Sequence, residues 1–163
     1  MKIKGIIDED FTNYKKPSMF IGTSKCNSFK CDKECGKPVC QNSELAKAPN
    51  IEIEHPSDLV HRFYNNPITE AVTIGGLEPF DTFDDLLLLV FLFQMGAFIE
   101  YKAYPDIIIY TGYYPEEIKD EIKELQEAVA PELMKVIIKF GRFIPDRPHK
   151  YDELLGIELA SDN

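Results

Sequence analysis

Four cysteines stand within fifteen residues, spaced Cys26-x4-Cys31-x3-Cys35-x4-Cys40 and followed by Gln41-Asn42. They are all the thiols of the 163-residue chain. Thiolates are soft ligands, suited to zinc or iron–sulfur clusters rather than to hard cations. Ligands this close in sequence can wrap one centre only where the backbone loops around it, as a loop after a strand does. Zinc favours paired Cys-x2-Cys knuckles, and none is present. Three cysteines can hold a four-iron cluster with one iron left open. Four can close a cluster or bind zinc, so the count alone leaves both open. The plain alternative is a set of free surface thiols, but exposed unpaired cysteines are rarely grouped in this way. Lys25, Lys30, Lys33 and Lys37, with Lys16 further off, offset the negative charge that bound thiolates would carry.

Two other short stretches carry residues suited to ligand contact. Gly75-Gly76-Leu77-Glu78-Pro79 follows an apolar run and precedes a helical one. Glycines there either let a ligand's polar end approach the backbone or permit positive φ, and Glu78 can accept from an ammonium group. The plainer reading is a tight strand-to-helix turn. Tyr110-Thr111-Gly112-Tyr113-Tyr114 is similar, either a ligand-facing strand end or a glycine turn flanked by aromatics. The three histidines, His55, His61 and His149, have no metal-ligand spacing to one another and read as structural or surface groups.

The elements that must position these residues follow from periodicity and punctuation. Short apolar runs at 18–23, 70–74, 106–111 and 136–140 read as buried strands. The cysteine loop, 24–42, follows the first of them. Helices are predicted at 43–48, before Pro49, and at 57–64, with Ser57 or its neighbour as N-cap. A third is predicted at 82–95, with Thr82 and Asp85 near a capping box and Gly96 as stop. A fourth opens at Pro115, with the stripe Ile118, Ile122, Leu125 and Val129. Strands alternating with helices predict an α/β domain with a mostly parallel sheet, a class whose ligands collect at the C-terminal strand ends. We expect one domain over 1–163 with an irregular tail at 145–163.

Formal net charge is −10 and the sequence pI about 4.8, which argues against electrostatic binding to nucleic acid or a membrane surface. The charge is uneven. Residues 1–40 hold eight lysines against five acids, while the other 123 hold 10 basic and 23 acidic groups. The N-terminus turns acidic after Ile7 and lacks a signal peptide's apolar stretch. The longest unbroken apolar run, 86–93, is far below the ~20 residues that span a bilayer. The expectation is a cytoplasmic protein, where clustered thiols are metal ligands or redox groups rather than disulfides.

Taken together, the cysteine loop after a strand and the Gly-Gly-x-Glu-Pro turn after a later one resemble the radical S-adenosylmethionine (SAM) superfamily. The segment Asp106-Ile-Ile-Ile-Tyr-Thr-Gly-Tyr-Tyr-Pro-Glu-Glu-Ile118 is similar to one in the small anaerobic ribonucleotide reductase activating proteins. So are Val136-Ile-Ile-Lys-Phe-Gly-Arg-Phe-Ile144 and the opening Ile6-Ile-Asp-Glu-Asp-Phe-Thr-Asn-Tyr14. The resemblance implies a partial (β/α) barrel with helices on its outer face. It implies a [4Fe–4S] cluster on three cysteines, with SAM on the open iron. Matched locally, Cys26, Cys31 and Cys40 are the metal ligands. Cys31, Cys35 and Cys40 form an alternative set nearer the family's usual x3 and x2 spacing. Gly75, Gly76, Glu78, Asn42, Thr111 and Gly112 fall at cofactor-binding positions. The chain departs from the pattern in its longer cysteine loop, in Val39 where an aromatic is usual, and in the inserted Leu77.

What the resemblance implies is a radical SAM oxidoreductase in which a reduced cluster cleaves SAM to methionine and a 5′-deoxyadenosyl radical. In activating proteins that radical takes hydrogen from a glycine of a large glycyl-radical enzyme, and an electron donor is a second partner. Two other readings stand beside it. One is a radical SAM enzyme acting on a small molecule, and the other a non-catalytic zinc module with four cysteine ligands.

Overall fold

A computed structural model describes residues 1–100 and 102–160. Strands β1 (Lys2–Asp10), β2 (Ser18–Thr23), β3 (Ile51–Glu52), β4 (Ala71–Gly75), β5 (Asp106–Tyr110) and β6 (Val136–Lys139) form one sheet. Its order is β3-β1-β2-β4-β5-β6. The run β2-β4-β5-β6 is parallel, and β1 and β3 add to its edge antiparallel. The protein is thus mixed α/β with a mostly parallel six-stranded sheet. The four predicted strands are all present, within a residue at each end. Strand β1 was not anticipated. Its mixture of lysines, acids and glycine hides the pattern, and the cysteine loop therefore follows the second strand of the chain.

Strand alternation divides the core. Val72, Ile74, Ile107 and Ile109 face one side, where they pack with residues of helices α3 (Ser57–Asn65), α4 (Phe83–Glu100) and α5 (Lys119–Ala128). Ala71 and Ile108 face the other side with Tyr14, Ile137 and Leu155. In the predicted stripe of α5, Ile118 and Leu125 are buried, and Ile122 and Val129 pack against the core from its edge.

The predicted limits of α4 need correction at both ends. Thr82 does not cap it, because its hydroxyl donates backwards to the Pro79 carbonyl (3.3 Å). A 3-10 turn, Pro79–Thr82, leads in instead, and the Glu78 carboxylate accepts from the Phe80 N–H (3.2 Å) at its start. Nor does Gly96 stop the helix, which runs on to Glu100. A Cβ on Gly96 would lie 2.3 Å from Val60 Cγ1, so this glycine lets α3 and α4 approach closely. The Pro79–Glu100 segment is long and apolar enough to cross a bilayer, with mean hydropathy 1.7. Here Leu86, Leu89, Val90, Phe93 and Ala97 are buried in the core, while Leu88, Phe91, Phe98 and Ile99 lie on the surface.

The tail expected to be irregular also needs correction. It contains a hairpin of β7 (Lys150–Asp152) and β8 (Ile157–Leu159). The hairpin is short and its polar residues alternate weakly, so no strand signal stands out. Leu155 at its turn is 1% exposed and packs under the sheet. The Lys15 N–H donates to the Leu155 carbonyl (2.8 Å), tying the hairpin to the connection between β1 and β2.

Candidate functional site

The parallel strands β2, β4 and β5 end side by side, and each end carries one of the motifs singled out above. The Thr23 hydroxyl donates to the Gly75 carbonyl (3.0 Å), joining the ends of β2 and β4. The Glu78 N–H donates to the Lys25 carbonyl (2.8 Å), and the Asn27 N–H to Asp81. These bonds hold the cysteine loop against the glycine turn.

Within 24–42 lies a short helix, α1 (Lys30–Cys35). It is entered through Phe29 with φ of 41°, a left-handed conformation that a bulky residue adopts at a cost of roughly 1–2 kcal/mol. It leaves through Gly36 with φ of 63°. Beyond the helix the chain turns back, because Asp32 Oδ1 accepts from the N–H groups of both Val39 and Cys40, at 2.7 Å each. Asn42 then leads into α2 (Ser43–Lys47). Leu45 of α2 packs on Gly76, whose φ is 80° and where a Cβ would stand 3.0 Å from Leu45 Cδ2. The positive φ of Gly76 requires glycine here, and the tip of Leu45 lies close over it.

A cleft of about 500 Å³ opens over these strand ends. Cys26, Cys31 and Cys40 line it, and Cys35 does not. Asn42, Gly76, Glu78, Thr111 and Gly112 line it as well. Gly75 lies behind the lining, where a Cβ would come 3.3 Å from Tyr110 Cβ. The histidines are exposed, and His61 and His149 face Glu100 and Glu158 at 3.8 and 3.7 Å.

All four thiols are free and partly buried. Burial pushes the Cys31 thiol up, against a hydrogen bond with the Phe143 backbone, and Cys40, Asp32 and Cys26 add to the rise. Burial likewise raises Cys40, with Asp32 and Cys26 contributing. Without a cation these two thiols are neutral near pH 7. No group of three or more His, Cys, Asp or Glu among the described residues is arranged to hold a single metal ion. Tetrahedral zinc at about 2.3 Å from each sulfur needs its ligands tightly converged. Cys26, Cys31 and Cys40 line one cleft as soft donors without converging on a single point.

Glu78 is 4% exposed. It accepts from the Thr111 hydroxyl (2.7 Å), the Gly112 N–H (2.9 Å) and the Phe80 N–H (3.2 Å). Burial raises its pKa, while these donors and nearby Lys30 oppose the rise. Three of a carboxylate's roughly four acceptor positions are thus taken by donors of the chain, bracing the ends of β4 and β5.

Sequence reasoning did not assign Asp32 or Arg142 to the site. Lys30, expected to offset thiolate charge, has its ammonium 3.3 Å from the Tyr113 ring centroid and 4.0 Å from Asp81. Arg142 donates to the Gly112 carbonyl (2.9 Å), to Glu34 of α1 (2.7 Å) and to Glu117, and lies over the Tyr114 ring. Its partners stand 25 to 108 positions away, and no local pattern announces them. No protein-family model, curated protein or solved structure matches the chain.

Proposed function

We propose that the protein is a radical SAM iron–sulfur enzyme of the glycyl-radical-activating type, built on a partial (β/α) barrel. The observation that carries the reading is the gathering of Cys26, Cys31 and Cys40, without Cys35, around one cleft with the Gly76–Glu78 turn and Thr111-Gly112. Cys26, Cys31 and Cys40 hold the cluster, and Asn42, Gly76, Glu78, Thr111 and Gly112 line the place for SAM, with Gly75 supporting from behind. Held there, a [4Fe–4S] cluster reduced by the electron donor would supply the one-electron chemistry that cleaves SAM to methionine and a 5′-deoxyadenosyl radical.

The chain's own groups bind and orient. Glu78 offers its remaining acceptor position to the SAM ammonium, and its buried oxygens fix the Thr111-Gly112 edge of the cleft. Gly76 keeps the turn open to ligand atoms. Lys30, largely buried beside Asp81, adds positive charge on the cysteine side. The hydrogen donor in this reading is a backbone glycine of a large partner, an anaerobic ribonucleotide reductase, with a separate electron donor, all in the cytoplasm.

Anaerobic purification followed by iron, sulfide and zinc analysis tests the reading. Iron and sulfide in equal amounts, with broad charge-transfer absorbance, are expected, and SAM cleavage to 5′-deoxyadenosine under dithionite is the next step. Zinc without iron overturns it.

A further inference from the structure

The cysteine loop offers four thiols where the reading above uses three, and the geometry shows what makes the choice. Cys31 and Cys35 lie four residues apart on α1, a spacing that puts two side chains on one face of a helix. Sequence spacing therefore leaves Cys35 free to compete with either neighbour. Asp32 lies between them and accepts two backbone N–H groups at 2.7 Å, from Val39 and Cys40. Two bonds to one carboxylate oxygen, both charge-assisted, make a stiff clasp. It closes residues 32–40 into a loop, carries Cys40 back beside Cys31 and leaves Cys35 at the far end of α1. Arg142 holds the same helix from outside through Glu34 (2.7 Å).

We propose that Asp32 is a positioning residue that selects Cys26, Cys31 and Cys40 as the ligand set and excludes Cys35. The proposal rests on the radical SAM reading for what the thiols hold, but the clasp is a property of the metal-free chain. Asp32 touches none of the reacting atoms. It acts by fixing the backbone of Cys40.

The test begins on the metal-free protein. Backbone amide exchange of the unsubstituted chain should show Val39 and Cys40 protected, and exchange at the rate of an open loop overturns the clasp whatever any variant does. Asp32→Ala should speed exchange at these two amides at least about tenfold, whereas Asp32→Asn, which keeps a carbonyl oxygen able to accept both bonds, should retain most of the protection. Alkylation read by mass spectrometry should show Cys40 reacting several-fold faster in Asp32→Ala than in Asp32→Asn, which removes the same charge but keeps the acceptor, with Cys26 equal in both. A general loss of structure would instead accelerate all four cysteines, and that result overturns a positioning role. After anaerobic reconstitution with iron and sulfide, Cys35→Ala should load fully in the native background, and Asp32→Ala should load while Cys35 is present but lose most of its iron when Cys35→Ala is added. Equal loading in both backgrounds overturns the selection. Protected amides in a chain that takes up zinc and no iron would leave the clasp standing and sink the radical SAM reading, so the two failures are separable.

Discussion

On one side of the sheet Val72, Ile74, Ile107 and Ile109 meet the helices through side chains with no polar atom, and Phe63 and Phe93 pack edge to face at 5.6 Å. On the other side the layer is thin and mixed. Thr73 donates to Ser18 (3.0 Å), and the Tyr110 hydroxyl donates to the Asn13 carbonyl (2.6 Å). Burial lowers the pKa of Lys139 there, against the pull of Asp152. The cover is a hairpin anchored by Leu155. The helical side stores stability in buried area, which is tolerant of detail but needs volume filled. The other side depends on a few specific contacts, and its upper end is the cleft. The proposed site lies where the packing is thin and polar groups pair one by one.

The largest expected effect lies on the helical side. Phe93 is fully buried, and Phe93→Ala should lower the unfolding free energy by about 3–5 kcal/mol, read by urea denaturation. A loss below ~1 kcal/mol would show that this side is not the main store of stability. Leu155→Ala, with a cavity cost of about 2–5 kcal/mol at most, should act locally. Amides of 150–159 should exchange faster while those of β4 and β5 keep their protection. Global unfolding of this variant would break the distinction between the two sides.

Gly96→Ala asks the same question in the opposite sense, by adding a carbon where none fits. A cost of about 1–3 kcal/mol is expected from overpacking against Val60, seen as a lower melting temperature. A neutral result would mean that α3 and α4 can separate freely.

The smallest effect is a pH dependence at the cleft. Burial raises the Glu78 pKa in the folded protein above its ordinary value of 4.5. The folded state then binds a proton more tightly than the unfolded chain does. Glu78 therefore favours folding most below its unfolded pKa. That contribution should be lost as pH rises from about 4.5 through the higher folded value. Unfolding free energy measured across this range should fall less steeply in Glu78→Gln than in the native chain. Identical slopes would show that the hydrogen bonds from Thr111, Gly112 and Phe80 fully offset burial.

Legibility in the sequence follows the same division. The parallel strands and the stripe of α5 were readable because dry packing repeats with the period of the element. Leu125 and Ile109 declare themselves that way. What failed to read was decided by distant partners. Gly96 carries the local mark of a helix stop, yet Val60, thirty-six positions earlier, gives it a different task. Thr82 had the spacing of a cap, and Glu78 took over that position through the 3-10 turn. Strand β1 and the hairpin are held by edge pairing and by Leu155, neither of which leaves a strong periodic trace.

By itself the sequence determined the kind of chemistry on offer: four soft thiols in a short basic stretch, two glycine turns and one acid, Glu78, between them. It also determined that these motifs fall after strands, since apolar runs and glycines are local signals. Only the tertiary structure decided that the motifs share one cleft, that Glu78 braces the Thr111-Gly112 edge, and that Cys35 stands apart from the other three thiols. The reason is physical. Residue type fixes which atoms can bond, but their distances depend on strand order, on a clasp such as Asp32 and on a cation such as Arg142 reaching across a hundred residues.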